Sequence, residues 1–217
     1  MRKTLFIALN FALLFASAGL SAPSAAASIE GAAVDAAAGR ASEGPRDEVV
    51  NALFLIVNER ARGFSEAEQW TIAETVHDAA RLEGVDPYLV LAVIGTESSF
   101  RRRQQSSVGA MGLMQLRPST AKAFAKRAGV RWRGHKTLWD PANNIRIGTA
   151  YLAHLLRRFD GKAHWALTSY CHGPTRTVRH LRANKHRLSP DYIRYSRKVH
   201  RLWRQLAGAK LGPALVG

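Results

Sequence analysis

Glu97 is the residue of this chain best placed by its surroundings to move a proton. It closes the run Asp86-Pro87-Tyr88-Leu89-Val90-Leu91-Ala92-Val93-Ile94-Gly95-Thr96-Glu97. Asp86 is a good N-cap, and Pro87 suits a first helical position, where its missing N–H costs nothing. From Leu89 to Ile94 every residue except Ala92 is large and apolar, so the helix is expected to be buried on most of its circumference. A carboxylate in its last turn sits at the wrong end of the helix dipole. The dipole and an apolar setting both disfavour the ionised form, so a raised pKa is expected. Such a group suits general acid catalysis near neutral pH. Standing alone, the same glutamate reads as a solvated last-turn residue.

The residues after it supply context. Ser98 and Phe100 follow, then the basic run Arg101-Arg102-Arg103, then Ser106. Next comes Gly109-Ala110-Met111-Gly112-Leu113-Met114-Gln115, and Pro118-Ser119-Thr120 opens another helix. Ser106, Gly109 and Gly112 read by default as turn residues, Met114 as core packing, and the later Tyr170 as a half-buried helix residue. The three arginines read either as a solvated loop or as the rim of a cleft that holds an anionic polymer.

The elements around this stretch are helical. Asp47 to Glu59 is the first expected helix. Ser65 and Glu68 form a capping box for a second, which runs to about Leu82 and ends at Gly84. Asp86–Ser98 is the glutamate helix. Ser119–Ala128 is a short helix stopped by Gly129, and Arg131–Leu138 reads as a basic loop. Asp140 and Pro141 open a helix to Phe159. Lys162–Cys171, Thr175–Ala183 and a last amphipathic helix from Ser189-Pro190 to Ala207 complete about eight helices. No alternating strand of convincing length appears, so the fold class is all-α.

Composition bounds the setting. The 217 residues suit one domain with tails, and 47% hydrophobic content is ordinary for a protein with a core. Thirty-two Lys and Arg face 16 Asp and Glu, a net charge of +16 that favours polyanionic partners. Arg2, Lys3, the apolar stretch Leu5–Leu20 and Ala25-Ala26-Ala27 read as a signal peptide over residues 1–27. Its apolar stretch is shorter than the span of about 20 residues that a membrane helix needs. Residues 28–46 read as a flexible linker, 47–208 as the helical domain that carries Glu97 and 209–217 as a loose tail. Export to the periplasm or cell wall makes nucleic acid an unexpected partner despite the charge. Cys171 is the single cysteine, so no intrachain disulfide is possible. No H-E-x-x-H or G-x-S-x-G pattern is present, and neither a metal nor a cofactor is expected. Gly109-Ala110-Met111-Gly112 imitates the clamping loop of a KH domain, which needs strands this chain lacks.

The series Glu97-Ser98-x-Phe100, Ser106, Gly109-Ala110-x-Gly112-Leu113-Met114-Gln115 and Pro118-Ser119-Thr120 resembles the catalytic core of the soluble lytic transglycosylases. Asp140-Pro141, Asn144-Ile145, Gly148, Tyr151-Leu152 and Tyr170 with Gly173-Pro174 continue it, so the resemblance spans roughly residues 70 to 180. It implies a goose-lysozyme-like helical fold with a catalytic cleft, and cleavage of peptidoglycan glycan strands between N-acetylmuramic acid and N-acetylglucosamine. It further implies Glu97 as acid and then base, assistance by the muramic acetamido group, and a 1,6-anhydro product. Ser106 would bind near the N-acetyl group, Met114 and Gln115 would line the saccharide sites, and Tyr170 would reach Glu97 or the sugar. The family usually reads Tyr-Asn-x-Gly-Pro where this chain has Tyr170-Cys171-His172-Gly173-Pro174, so a thiol replaces an amide. Most glycosidases use two carboxylates, and Glu97 has no obvious acidic partner, which suits a substrate that assists itself. A goose-type hydrolase and a non-catalytic wall-binding protein are the alternatives. A monomer is expected, with a role in general wall turnover or in local opening for a secretion or conjugation machine.

Overall fold

The computed structural model describes residues 47–209. The leader and linker readings fall outside these residues, as does the tail apart from Ala209. The described chain forms nine helices: α1 (Glu48–Arg60), α2 (Glu66–Glu83), α3 (Pro87–Glu97), α4 (Pro118–Ala125), α5 (His135–Trp139), α6 (Pro141–Arg158), α7 (Ala163–His172), α8 (Pro174–Ala183) and α9 (Pro190–Ala209). Among the described residues β-structure is confined to isolated bridges, two of which join Met111 to Gln105 and to Leu116. None of these helices is long and apolar enough to cross a membrane.

Local chemistry sets the helix starts. The Asp47 carboxylate accepts from the N–H of Val49, that of Asp86 from Tyr88, and that of Asp140 from Asn143, each at 2.7–2.8 Å. Ser65 and Glu68 close the expected capping box. The one helix the sequence pattern missed is α5, read as part of a basic loop. It has five residues and no side-chain cap, too short for a period to show.

Apolar faces decide the packing. Val90 to Ile94 of α3 are wholly buried, as an all-apolar helix requires. α9 packs on α3 and α7, α2 on α1, α3 and α6, and α6 on α4, α5 and α7. Two polar ties fix the arrangement. The indole N–H of Trp203 on α9 donates to the second Asp86 oxygen at 3.1 Å, so one carboxylate caps α3 and anchors α9. Glu83 at the end of α2 accepts from Arg127 and Arg157 at 2.9–3.2 Å. Burial pushes its carboxyl up, but the two guanidiniums prevail and hold it below the usual range.

Candidate active site

α3 delivers Glu97 to the floor of a cavity of about 440 Å³. At the helix end the Ser98 hydroxyl donates to the Ile94 carbonyl at 3.1 Å. Ser99 and Phe100 then take left-handed conformations (φ 51° and 60°), and the chain reverses within two residues. The opposite wall is the loop before α4 together with the end of α7.

That loop is held by Asn144 of α6, which is wholly buried. Its amide oxygen accepts from Met114 N–H at 2.8 Å, and its amide nitrogen donates to the carbonyls of Met111 and Leu138 at 3.0 and 3.1 Å. Gly112 (φ 79°) lies against this amide, and a Cβ there would fall 2.2 Å from its nitrogen. Gly148 makes room for Met114 in the same way, since a Cβ would stand 2.4 Å from the sulfur.

Four of the five residues singled out by sequence line one cavity: Glu97, Ser106, Gln115 and Tyr170. The Ser106 hydroxyl accepts from Ala110 N–H at 3.0 Å and so also shapes its turn. Gln115 (φ 46°) donates both amide hydrogens to the carbonyls of Gln104 and Gly112, at 2.7 and 2.9 Å. Met114 is the exception. It was expected to line a saccharide site, but its side chain is wholly buried against Gly148, and only its backbone serves the site.

Tyr170 differs in detail from expectation. Its hydroxyl donates to the Met114 carbonyl at 2.9 Å. The hydroxyl that reaches Glu97 belongs to Tyr195 of α9, which donates to the carboxylate at 2.6 Å. Sequence reasoning missed Tyr195, although a signal existed. Tyr195, Val199 and Leu206 fall on one face of α9, where a tyrosine packs its ring inward and needs a partner for its hydroxyl. Two of the three arginines after α3 have partners within the fold. Arg102 pairs with Glu68, with its guanidinium 4.3 Å above the Phe64 ring, and Arg101 donates to the Ser98 carbonyl. None of the three lines the cavity, whose one guanidinium is Arg117.

Burial pushes the Glu97 carboxyl up to about 7. The Tyr195 hydrogen bond and the Lys198 charge pull it down, and desolvation outweighs both. Burial and the adjacent Glu97 push the hydroxyls of Tyr170 and Tyr195 well above their ordinary range, so both remain donors. Among the described residues no second carboxylate lines this cavity. Asp191 lines the adjoining hollow and is paired with Arg194 at 2.7 Å. Among the described residues no group of three His, Cys, Asp or Glu is placed to hold a metal ion. The arrangement can deliver one proton to a bound molecule and take one back.

Comparison with known proteins decides the family. The sequence pattern of the Transglycosylase SLT domain matches residues 74–193, more than half of the chain. The chain belongs to the transglycosylase SLT domain family. Over 111 residues it is 43% identical to a transglycosylase of Enterobacteria phage PRD1, covering 51% of this chain and 37% of that one. Over 82 residues it is 45% identical to the membrane-bound lytic murein transglycosylase C of Klebsiella pneumoniae, covering 37% of this chain and 23% of the relative. The chain thus spans well under half the length of these two relatives. Among solved structures, the lytic transglycosylase Slt of Pseudomonas aeruginosa aligns with a TM-score of 0.57 and 29% identity, over 64% of this chain and 24% of that one. The 70 kDa soluble lytic transglycosylase of Escherichia coli aligns with a TM-score of 0.58 over 74% of this chain and 30% of its own. At 22% identity that likeness shows the fold, which is the all-helical fold of this SLT-domain chain.

Proposed function

We propose that this SLT-domain protein is a peptidoglycan lytic transglycosylase, with Glu97 as its acid and base. The observation that carries this reading is a single carboxyl in the cavity, raised to about 7 and held by one tyrosine hydroxyl. Protonated Glu97 gives its proton to the oxygen linking N-acetylmuramic acid to N-acetylglucosamine, and the C1–O bond breaks. The acetamido oxygen of the muramic acid closes on C1 and carries the positive charge, a task for which a second carboxylate is otherwise needed. The Glu97 carboxylate then takes the proton from the C6 hydroxyl. O6 attacks C1 and displaces the acetamido oxygen. The product is a 1,6-anhydro ring, no water is consumed, and Glu97 is protonated again. Tyr195 steadies the carboxylate between the two steps. Ser106 and Gln115 line the saccharide site, and Tyr170 fixes the Met114 carbonyl behind it. The excess of Lys and Arg over Asp and Glu would hold an exported enzyme on the anionic wall.

Digestion of purified wall with mass spectrometry of the products tests this. Anhydro-muramic ends, lighter by one water than reducing ends, are the expected product. Reducing ends would assign the chain to the goose-type hydrolases, and undigested wall would assign it to binding.

The acid must be protonated to act. Cleavage should therefore fall as pH rises through about 7. Tyr195→Phe removes a bond that favours the carboxylate, so the alkaline limb of the pH–rate profile should move upward. A limb that stays in place would mean that Tyr195 does not govern the acid.

Cys171 is exposed at the end of α7 and lines the cavity. Partial desolvation against the cavity wall and the Glu97 charge push its thiol up, so it is a poor nucleophile at neutral pH. An amide at this exposed position can be solvated. Cys171→Asn is expected to change stability by less than about 0.5 kcal/mol and to hold or raise the cleavage rate, measured by melting and wall digestion on one preparation.

A further inference from the structure

A second concavity, of about 460 Å³, lies where the start of α7 meets α9, away from Glu97. It is lined by His164, Ile193, Arg197, His200, Arg201 and Arg204. It is as large as the cleft, and no carboxylate lines it. Arg197, Arg201 and Arg204 recur at i, i+4 and i+7, so three like charges share one stripe of the helix. Like charges at this spacing destabilise a helix unless something neutralises them. Four arginines elsewhere are held by carboxylates: Arg102 by Glu68, Arg127 and Arg157 by Glu83, and Arg194 by Asp191. Among the described residues no ion pair reaches the three that line this concavity. Nor is there an acid nearby in sequence to do so. Residues 163–209 hold ten Lys and Arg and one acid, Asp191, which is already paired.

The imidazoles are set in place. The His164 and His200 rings stack at 5.3 Å with 25° between their planes. The Ser196 hydroxyl donates to the Ile193 carbonyl at 3.0 Å, so it accepts from His164 Nδ1–H at 3.1 Å, and Nε2 of that ring is left without a partner. Burial, His200 and Arg197 all disfavour the charged form of His164, an opposition that a bound anion would reverse.

We propose that this concavity is a binding site for a phosphate-bearing anion. Three guanidinium forks offer more donors than the two oxygens of a carboxylate can use, and they suit the oxygens of a phosphate; His164 Nε2 adds a donor when an anion draws a proton onto that ring. The site is separate from the Glu97 cavity, so the inference does not depend on the glycan chemistry. The same phosphate chemistry is found in soluble phosphates and in anionic phospholipid head groups, and the test separates them.

Inorganic pyrophosphate is titrated at constant ionic strength while the histidine ring protons are followed by NMR. Sedimentation with phosphatidylcholine vesicles, with and without phosphatidylglycerol, runs in parallel. The test variant is Arg197→Gln/Arg201→Gln/Arg204→Gln. The control, Arg158→Gln/Arg179→Gln/Arg182→Gln, removes the same charge from the basic hollow formed by Arg158, Arg179 and Arg182. Loss of charge-assisted hydrogen bonds should weaken binding about tenfold or more in the test variant. The control, losing only screened long-range attraction, should change it within about twofold. Arg201→Gln alone, which leaves most of the stripe in place, should lose an intermediate share. Pyrophosphate binding that moves the His164 and His200 signals marks a soluble phosphate as a ligand, and binding to phosphatidylglycerol vesicles alone marks a head group. Equal losses in the two triple variants would overturn the proposal in favour of diffuse charge. Failure of the parent protein to bind either probe would overturn it outright.

Discussion

Glu97→Gln should abolish wall cleavage and at the same time make the protein more stable at pH 8. The amide keeps the shape of the side chain and still accepts the Tyr195 hydrogen bond, but it has no proton to give. Loss of general acid–base catalysis costs roughly 10²- to 10⁴-fold in rate. The stability gain follows from linkage. Glu97 has a folded-state pKa near 7, above its ordinary value of 4.5, so the folded protein binds this proton more tightly than the unfolded chain. Stability is therefore greatest below about pH 4.5 and falls as pH rises, until the group is ionised above about 7. The shift corresponds to a penalty of about 3 kcal/mol at most above pH 7. Glutamine never ionises and so escapes it. Melting curves of parent and variant should differ at pH 8 and converge near pH 4. A variant that retains more than about a tenth of the parent's activity would remove Glu97 from its role. Equal melting at both pH values would show that the carboxyl is not buried as described.

Asn144→Ala should produce the largest loss of stability of any single polar truncation around the site. The side chain is wholly buried and closes three hydrogen bonds to backbone groups of Met114, Met111 and Leu138. Alanine leaves the Met114 N–H and the Leu138 carbonyl without this partner, whereas the Met111 carbonyl keeps the Leu116 N–H at 3.0 Å. Each of the two costs about 1–3 kcal/mol, so a total of about 2–6 kcal/mol is expected. Catalysis should suffer beyond the loss of folded protein, because the loop from Ser106 to Leu116 forms one wall of the cavity. Denaturant unfolding gives the first quantity, and specific activity of the folded fraction the second. A cost near that of a surface substitution would show that the loop holds itself.

What could be read from the sequence was whatever is encoded within a few residues. Asp86, Ser65 with Glu68, and Asp140 each declare a helix start because the capping bond spans only two or three residues. The unbroken apolar run of α3 declares its burial. The Asn144 and Gly148 positions were visible as motif letters, but their meaning is a contact across thirty residues or more, which spacing does not show. Met114 failed for a similar reason. It adjoins Gln115, yet it is buried against Gly148 while Gln115 lines the cavity. Arg102 looked available to a ligand until Glu68, 34 residues earlier, proved to hold it. Tyr195 lay furthest out of reach, since it is separated from Glu97 by 98 residues.

That separation bears on when the chemistry can begin. The carboxyl and the hydroxyl that holds it sit on the third and the last helices of the described chain, and the indole of Trp203 latches α9 to the Asp86 cap of α3. A polypeptide that emerges N-terminus first presents its acid long before the helix that encloses it. Until α9 docks, Glu97 is exposed to water, titrates as an ordinary glutamate and is ionised at neutral pH. A nascent chain would thus be chemically silent, and the last helix to arrive would arm it. Synthesis and transport of a wall-cutting enzyme would then proceed with the blade folded away.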